Sequence, residues 1–285
     1  MSTPPAATIL SRRFPGKRAF ITGGGSGLGR AMATELAGDG WALGLLDLSA
    51  PRLEATAAAL TAAGSKVRSY AGDVTDEAFV DASVRDFAQQ AGGLDLIVNN
   101  AGVAVAGPID GVSTADWRWI TDINLLGVAW GCRAAVPHMR AAGRGLVLNI
   151  ASSAGFAAAP GMSPYNATKA AVIALTETMA AELQDSGIQA SVAMPGFFQT
   201  NLLATMRAPA EEAAMAQRLM GSSGLDAAQA ARDILAAAGR GDLHIVWPKN
   251  YRFAWRLKRF FPGWFVRRIG SLRARRLARA NPPPG

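Results

Sequence analysis

Tyr165 and Lys169 stand four residues apart in "SPYNATKAA" (163–171), a spacing that in a helix puts both side chains on one face about a turn apart. A free tyrosine titrates at about 10 and is a poor base at neutral pH. A lysine ammonium beside it stabilises the phenolate and lowers that value, so the pair reads as a device for exchanging a proton with a hydroxyl or carbonyl oxygen. Ser152, thirteen residues before Tyr165, lies in the run "GLVLNIASS" (145–153), where its hydroxyl can hydrogen-bond the same oxygen as charge develops. Ser153 is adjacent and chemically equivalent.

These groups need a scaffold, and the hydrophobic pattern supplies one. Short apolar runs within 18–24, 41–48, 66–74, 94–102, 145–153, 188–196 and 242–248 read as strands. They alternate with alanine-rich segments at 28–38, 50–63, 76–91, 114–141, 163–185 and 226–238 that read as helices. Strands apolar on both faces, joined by segments long enough for crossover helices, predict a buried parallel sheet in a doubly wound, three-layer αβα domain. Ser152 then falls at the carboxyl end of the fifth strand, where such sheets present ligand-binding groups. One domain is expected over 14–248, preceded by a flexible N-terminus (1–13) and followed by a basic, aromatic helical extension (249–285). Within the domain, the polar, Gly/Ser-flanked segment 201–224 suits a mobile helical lid.

The first strand runs into "TGGGSGLGR" (22–30), where Gly23, Gly27 and Gly29, with Gly25, Ser26 and Leu28 between them, let backbone amides and a helix N-terminus approach a pyrophosphate. Its place between a strand and a helix marks a Rossmann-type dinucleotide site. Asp47 ends the second strand eighteen residues after Gly29, where a carboxylate accepts hydrogen bonds from the adenine ribose and repels a 2′-phosphate. Capping the following helix is its alternative task, for which Ser49 is an equal candidate. No lysine or arginine replaces Gly24, Gly25 or Ser26, so NAD is expected in preference to NADP; Arg30 and Arg52 are the nearby basic residues.

The Gly-x-x-x-Gly-x-Gly spacing together with "NNAG" (99–102) resembles the short-chain dehydrogenase/reductase family, and the resemblance continues over about residues 17–248. It implies that Asp73 and Val74 in "GDV" embrace the adenine, and that Asn100, Ala101 and Gly102 border the cofactor and stabilise the central strand. Pro195, Gly196, Phe198 and Thr200 would meet the nicotinamide end, with Tyr165 and Lys169 also touching the cofactor. The family spacing selects Ser152 over Ser153. Asn124, in "INLLG", resembles the family asparagine that holds a water in a relay with the lysine, a role compatible with bonding backbone at a helix kink. Asn124, Ser152, Tyr165 and Lys169 are then the catalytic set. The implied activity is NAD(P)-dependent interconversion of a secondary alcohol and a ketone by hydride transfer, with Tyr165 as general acid/base. Homodimers or homotetramers built through the helices at 114–141 and 163–185 are implied as well. An NAD-responsive scaffold with little turnover, attached to a membrane or partner by its tail, is the alternative.

The segments after Ala101, Ser152 and Pro195 are largely apolar, with Phe156, Met162, Phe197 and Phe198 prominent, which favours a small hydrophobic alcohol or ketone over a sugar. Cys132 is the only cysteine, and His138 and His244 are the only histidines, so neither a disulfide framework nor a metal centre is expected and a reducing, cytoplasmic setting fits. No segment offers about 18 uninterrupted apolar residues for a membrane span. Of 29 Lys and Arg, eleven lie from Lys249 onward with no acid among them, so residues 1–248 hold eighteen bases against 21 acids, a net −3. No nucleic acid is expected, because the body is mildly acidic. The tail's arginine-flanked aromatic stripes are suited either to packing on the body or a neighbouring subunit, or to peripheral membrane contact through 249–279.

Overall fold

The apolar runs pair edge to edge into one sheet. The computed structural model describes residues 6–199, 201–221 and 224–280. Its strands are β1 (Arg18–Thr22), β2 (Ala42–Asp47), β3 (Val67–Ala71), β4 (Leu96–Asn99), β5 (Gly145–Ile150), β6 (Ile188–Pro195) and β7 (His244–Trp247). All neighbouring pairs are parallel, in the order β3-β2-β1-β4-β5-β6-β7. Parallel pairing requires crossovers, and helices provide them: α2 (Gly27–Gly38), α3 (Ala50–Ala62), α4 (Glu77–Ala91), α5 (Thr114–Thr121), α6 (Gly127–Ala142), α7 (Ala154–Ala157), α8 (Ser163–Glu182), α9 (Ala210–Gly221) and α10 (Ala227–Arg240), while α1 (Ala6–Arg13) precedes the sheet and α11 (Tyr251–Phe260) and α12 (Pro262–Ala280) follow it.

Because side chains alternate along a strand, each central strand feeds two cores. Ile21, Leu45, Val98 and Leu148 pack with Met32 and Leu36 of α2 and Ile234 and Leu235 of α10. Their neighbours Phe20, Ile97 and Val147 face the other way, onto Val84 and Phe87 of α4, Val128 of α6 and Val172 of α8. The edge strand β3 departs from the expected two-sided burial: Arg68, Ser69 and Ala71 are exposed.

Two further expectations change. The N-terminus expected to be flexible is helical over residues 6–13, with Leu10 fully buried; residues 1–5 lie outside the described residues. Gly239 on α10 explains the fit, because a Cβ there would come within 3.0 Å of Ile9 and 3.3 Å of Leu10. The helix expected over 114–141 is broken by a π-helical turn at Asp122–Leu126, between α5 and α6. Such turns re-aim side chains, and this one carries Asn124.

At the amino ends of the central strands, Asp95 is fully buried and receives Arg18 through Nε at 2.7 Å and Nη2 at 2.9 Å, with Arg144 3.6 Å away. This fork-to-fork bond holds the Arg18 guanidinium charge firmly, pushing its pKa up. Removing one partner of a buried pair leaves the other desolvated and unmatched. Asp95→Ala should therefore lower the unfolding free energy by about 3 kcal/mol in urea titrations.

Candidate active site

Strand order reverses between β1 and β4, so the chains leaving them diverge and open a crevice at the carboxyl ends of the sheet. Gly23, which follows β1, has φ of +67°, a conformation open to glycine at little cost. A Cβ at Gly29 would stand 2.2 Å from the Gly23 carbonyl oxygen, so a side chain there would force the loop off the helix. Asn100, which follows β4, ties the crevice together: its backbone N–H donates to Thr22 Oγ1 at 3.0 Å, and its side-chain amide donates to the carbonyls of Thr22 and Gly23 at 3.0 and 3.3 Å. Ser26 stands at the N-cap of α2 without a side-chain cap bond, which leaves the first amides of that helix facing the cavity.

The resulting cavity holds about 350 Å³ and brings together residues from widely separated parts of the chain. Gly23, Ser26, Gly27, Leu28, Asp47, Asp73 and Val74 line one end; Asn100, Ala101 and Gly102 the middle; Ser152, Tyr165, Lys169, Pro195, Gly196 and Phe198 the other. Gly25 and Gly29 do not line it. Gly25 packs against the Asp47 carboxylate and Gly29 against the loop backbone, so both act through close approach. Thr200 lies outside the described residues. Met162 and Phe197 line the cavity as expected from the apolar segments, whereas Phe156 packs into the core beneath.

Asp47 resolves its two alternatives in part. Its carboxylate accepts from Gly25 N–H at 3.0 Å and Ser49 N–H at 2.9 Å, with Arg52 3.5 Å away, and neither it nor the Ser49 hydroxyl caps α3. The carboxylate therefore braces the glycine loop while facing the cavity. Glycine cradle, open helix N-terminus and carboxylate fit the pyrophosphate and adenosine end of a dinucleotide.

At the other end, Tyr165 and Lys169 emerge from one face of α8, the lysine Nζ 5.9 Å from the phenol ring centroid. Both are buried. Lys169 donates to the Ile150 carbonyl at 2.9 Å, and burial pulls its pKa down to about 8. In the protein itself desolvation pushes the Tyr165 phenol up, opposed by a hydrogen bond with Ser152. The physical reason is that the lysine amine is turned to a carbonyl and the phenol has little water to support its charge. Asn124 is fully buried on the π-turn, accepting from Val103 N–H at 2.8 Å and donating to Val103 O at 2.9 Å and Thr168 Oγ1 at 3.4 Å. A Cβ on Gly102 would stand 3.2 Å from Asn124 Oδ1 and 3.3 Å from Lys169 Nζ, so the two groups converge on the space that this glycine leaves.

Several contributors escaped sequence reasoning. Thr22 and the Ile150 carbonyl hold cofactor-end and lysine, but a threonine and a main-chain oxygen carry no motif. Arg207 ties the segment after β6 to the body: its backbone bridges Ala104 and Ala106, its guanidinium lies 3.6 Å over the Trp119 ring, and Nη1 meets Asp116 at 2.9 Å. That segment carries a 3-10 turn at Asn201–Thr205 and α9, and Leu202, Leu203, Met206 and Met220 line the cavity. Tyr251, at the start of the tail, also lines it, its ring over Gly196.

Burying a lysine whose pKa falls from 10.5 to about 8 costs stability while the amine is charged in the unfolded chain. The cost is full below pH 8 and disappears as pH rises through 10.5, where the amine is neutral in both states. Lys169→Met should thus raise stability at pH 7 by about 1–3 kcal/mol, and the gain should shrink between pH 8 and 10.5 in parallel urea titrations.

Comparison with known proteins places these features in company. The family model described as short chain dehydrogenase matches residues 17–211. Levodione reductase of Leifsonia aquatica is 38% identical over 201 residues, covering 70% of this chain and 75% of that protein. The 2-(R)-hydroxypropyl-CoM dehydrogenase of Xanthobacter autotrophicus is 38% identical over 186 residues, covering 64% and 74% respectively. Among solved structures, a short chain dehydrogenase/reductase from Burkholderia phymatum in complex with NAD superposes with a TM-score of 0.82 at 32% identity, over 85% of this chain and 92% of that one.

Proposed function

The chain belongs to the short-chain dehydrogenase/reductase family and is a nicotinamide-dependent oxidoreductase of alcohols and ketones; on that premise we propose that it is an NAD-linked dehydrogenase for apolar secondary alcohols, with Tyr165 as the acid/base. The observation that carries this reading is the convergence of Ser152, Tyr165 and Lys169 on one cavity end, with Asn124 buried behind Gly102, beside a glycine cradle and a carboxylate at the other. A bound nicotinamide dinucleotide supplies the hydride acceptor or donor and, when oxidised, a positive ring.

In the oxidative direction the Ser152 hydroxyl orients the substrate oxygen and Tyr165 takes its proton as the carbonyl forms; in reduction the same phenol returns it. With the phenol raised by burial, Tyr165 is held protonated at neutral pH, ready to act as an acid. Acting as a base requires nearby positive charge, from Lys169 and from the oxidised ring. In this reading Asn124, which converges with Lys169 at Gly102, holds the water through which the lysine relays the proton. The lid residues Leu202, Leu203, Met206 and Met220, with Met162 and Phe197, support an apolar substrate, because a sugar would leave its hydroxyls without partners there. Assembly as a dimer or tetramer and a cytoplasmic setting belong to the same reading.

Tyr165→Phe should lower turnover by at least about 100-fold while NAD affinity changes little, since the lost hydroxyl handles only the proton. Comparable turnover in that variant refutes the assignment, and inactivity of the parent enzyme across a broad panel of apolar secondary alcohols and ketones favours the scaffold alternative. Through the Asp47 carboxylate, NAD should bind at least about tenfold more tightly than NADP. Asp47→Ser should narrow that ratio in titrations of both cofactors; an unchanged ratio places the preference elsewhere.

A further inference from the structure

The tail is two-faced, and its two faces address different things. On α11, Tyr251 and Trp255 turn inward, onto the core and the cavity wall, with the Trp255 ring 5.3 Å from that of His244. The outward face is the unusual one. Phe253 and Phe260, seven residues apart and so on one stripe, are 73% and 74% exposed. At the corner into α12 they are joined by Phe261 and Trp264, 60% and 50% exposed, while Phe265 tucks beneath. This cluster holds the largest exposed aromatic side chains among the described residues.

Cations surround it. Arg256 and Arg259 flank the stripe on α11, and Arg267 and Arg268 follow the corner on α12, all exposed. Among the described residues, no salt bridge joins a cation between Lys249 and Arg268 to an acid, and the tail itself contains no acid. Water satisfies the arginines but not the aromatic rings, and a nucleic-acid backbone would do the same. A second copy of this face, brought up about a two-fold axis, would meet eleven like charges. A surface that offers anionic headgroups above an apolar interior satisfies both.

We infer that the α11–α12 corner docks on an anionic lipid bilayer, with Phe253, Phe260, Phe261 and Trp264 entering the headgroup boundary and the arginines meeting phosphates or carboxylates. No described helix is long and apolar enough to cross a membrane, so the attachment is peripheral. Its placement bears on the site. One helix thickness, about 10 Å, separates the docking face from Tyr251, whose ring packs over Gly196 in the cavity wall. An apolar alcohol or ketone dissolved in the bilayer is thereby held close to the site that would oxidise or reduce it. Only this last link rests on the substrate reading given above; docking itself does not.

The test uses the full-length protein and vesicles of phosphatidylcholine alone or mixed with phosphatidylserine, read by co-sedimentation. Binding to the anionic vesicles should be at least about tenfold tighter than to neutral ones and should weaken as salt rises. The triple substitution Phe253→Ser, Phe260→Ser, Trp264→Ser should lower anionic-vesicle binding by about tenfold or more, with NAD affinity and assembly size unchanged. Hydrogen exchange of the unaltered protein gives an independent readout, with lipid-induced protection expected within 251–272. Absence of vesicle binding, indifference to lipid charge, or protection outside this segment overturns the proposal. A triple variant that binds as before also overturns it, and one that changes assembly size assigns the face to a second copy instead. Loss of turnover with vesicle binding intact would strike the dehydrogenase reading and leave docking standing.

Discussion

The bond from Lys169 to the Ile150 carbonyl is the constraint around which the reactive end of the molecule is arranged. An amine with almost no access to water must either find oxygen partners or lose its proton, and here it does some of each. The carbonyl at the end of β5 is available because the parallel ladder stops there, so the sheet's termination and the lysine's anchoring are one event. Tyr165 follows from it: one turn earlier on α8, it is fixed by the same helix that the amine pins to the strand. Ser152, two residues past the accepting carbonyl, comes within reach of the phenol by the same register.

The other end depends on a different economy of space. Gly29 and Gly25 never touch the cavity, yet without their missing side chains the loop could not close on α2 or on Asp47. Asn100 and Thr22 then tie β4 to β1, so the crevice has a fixed width before any ligand arrives. Preorganisation of this kind spares the protein the ordering cost of binding.

Much of this was legible in the sequence, for identifiable reasons. Strands and crossover helices announced themselves through periodicity, and the glycine loop, Asp47, Ser152, Tyr165 and Lys169 through residue types that few other contexts demand together. Asn124 was recognisable by its neighbours, but not the π-turn that aims it, because an extra residue per turn leaves no compositional trace. Asp95 and Arg18 form a two-pronged ion pair with the carboxylate fully buried, yet they are 77 residues apart and neither sits in a motif. Arg207 was hidden for a similar reason: its value lies in a bridge to Ala104 and Ala106 and a stack on Trp119, partners that only the folded chain brings together. The desolvation of Tyr165 was not legible, because a spacing argument sees the neighbouring charge but not the loss of water.

Gly196 carries an implication for how this chain could change over generations. A Cβ there would lie 2.7 Å from the Tyr251 ring, so the end of β6 and the first residue of α11 occupy each other's allowance of space. A lineage that trimmed its C-terminus would be freed to place a side chain at 196, and once it had done so the old extension could not be regained in this pose. The tail is in that sense ratcheted onto the body, its attachment reversible only through the one position that both share.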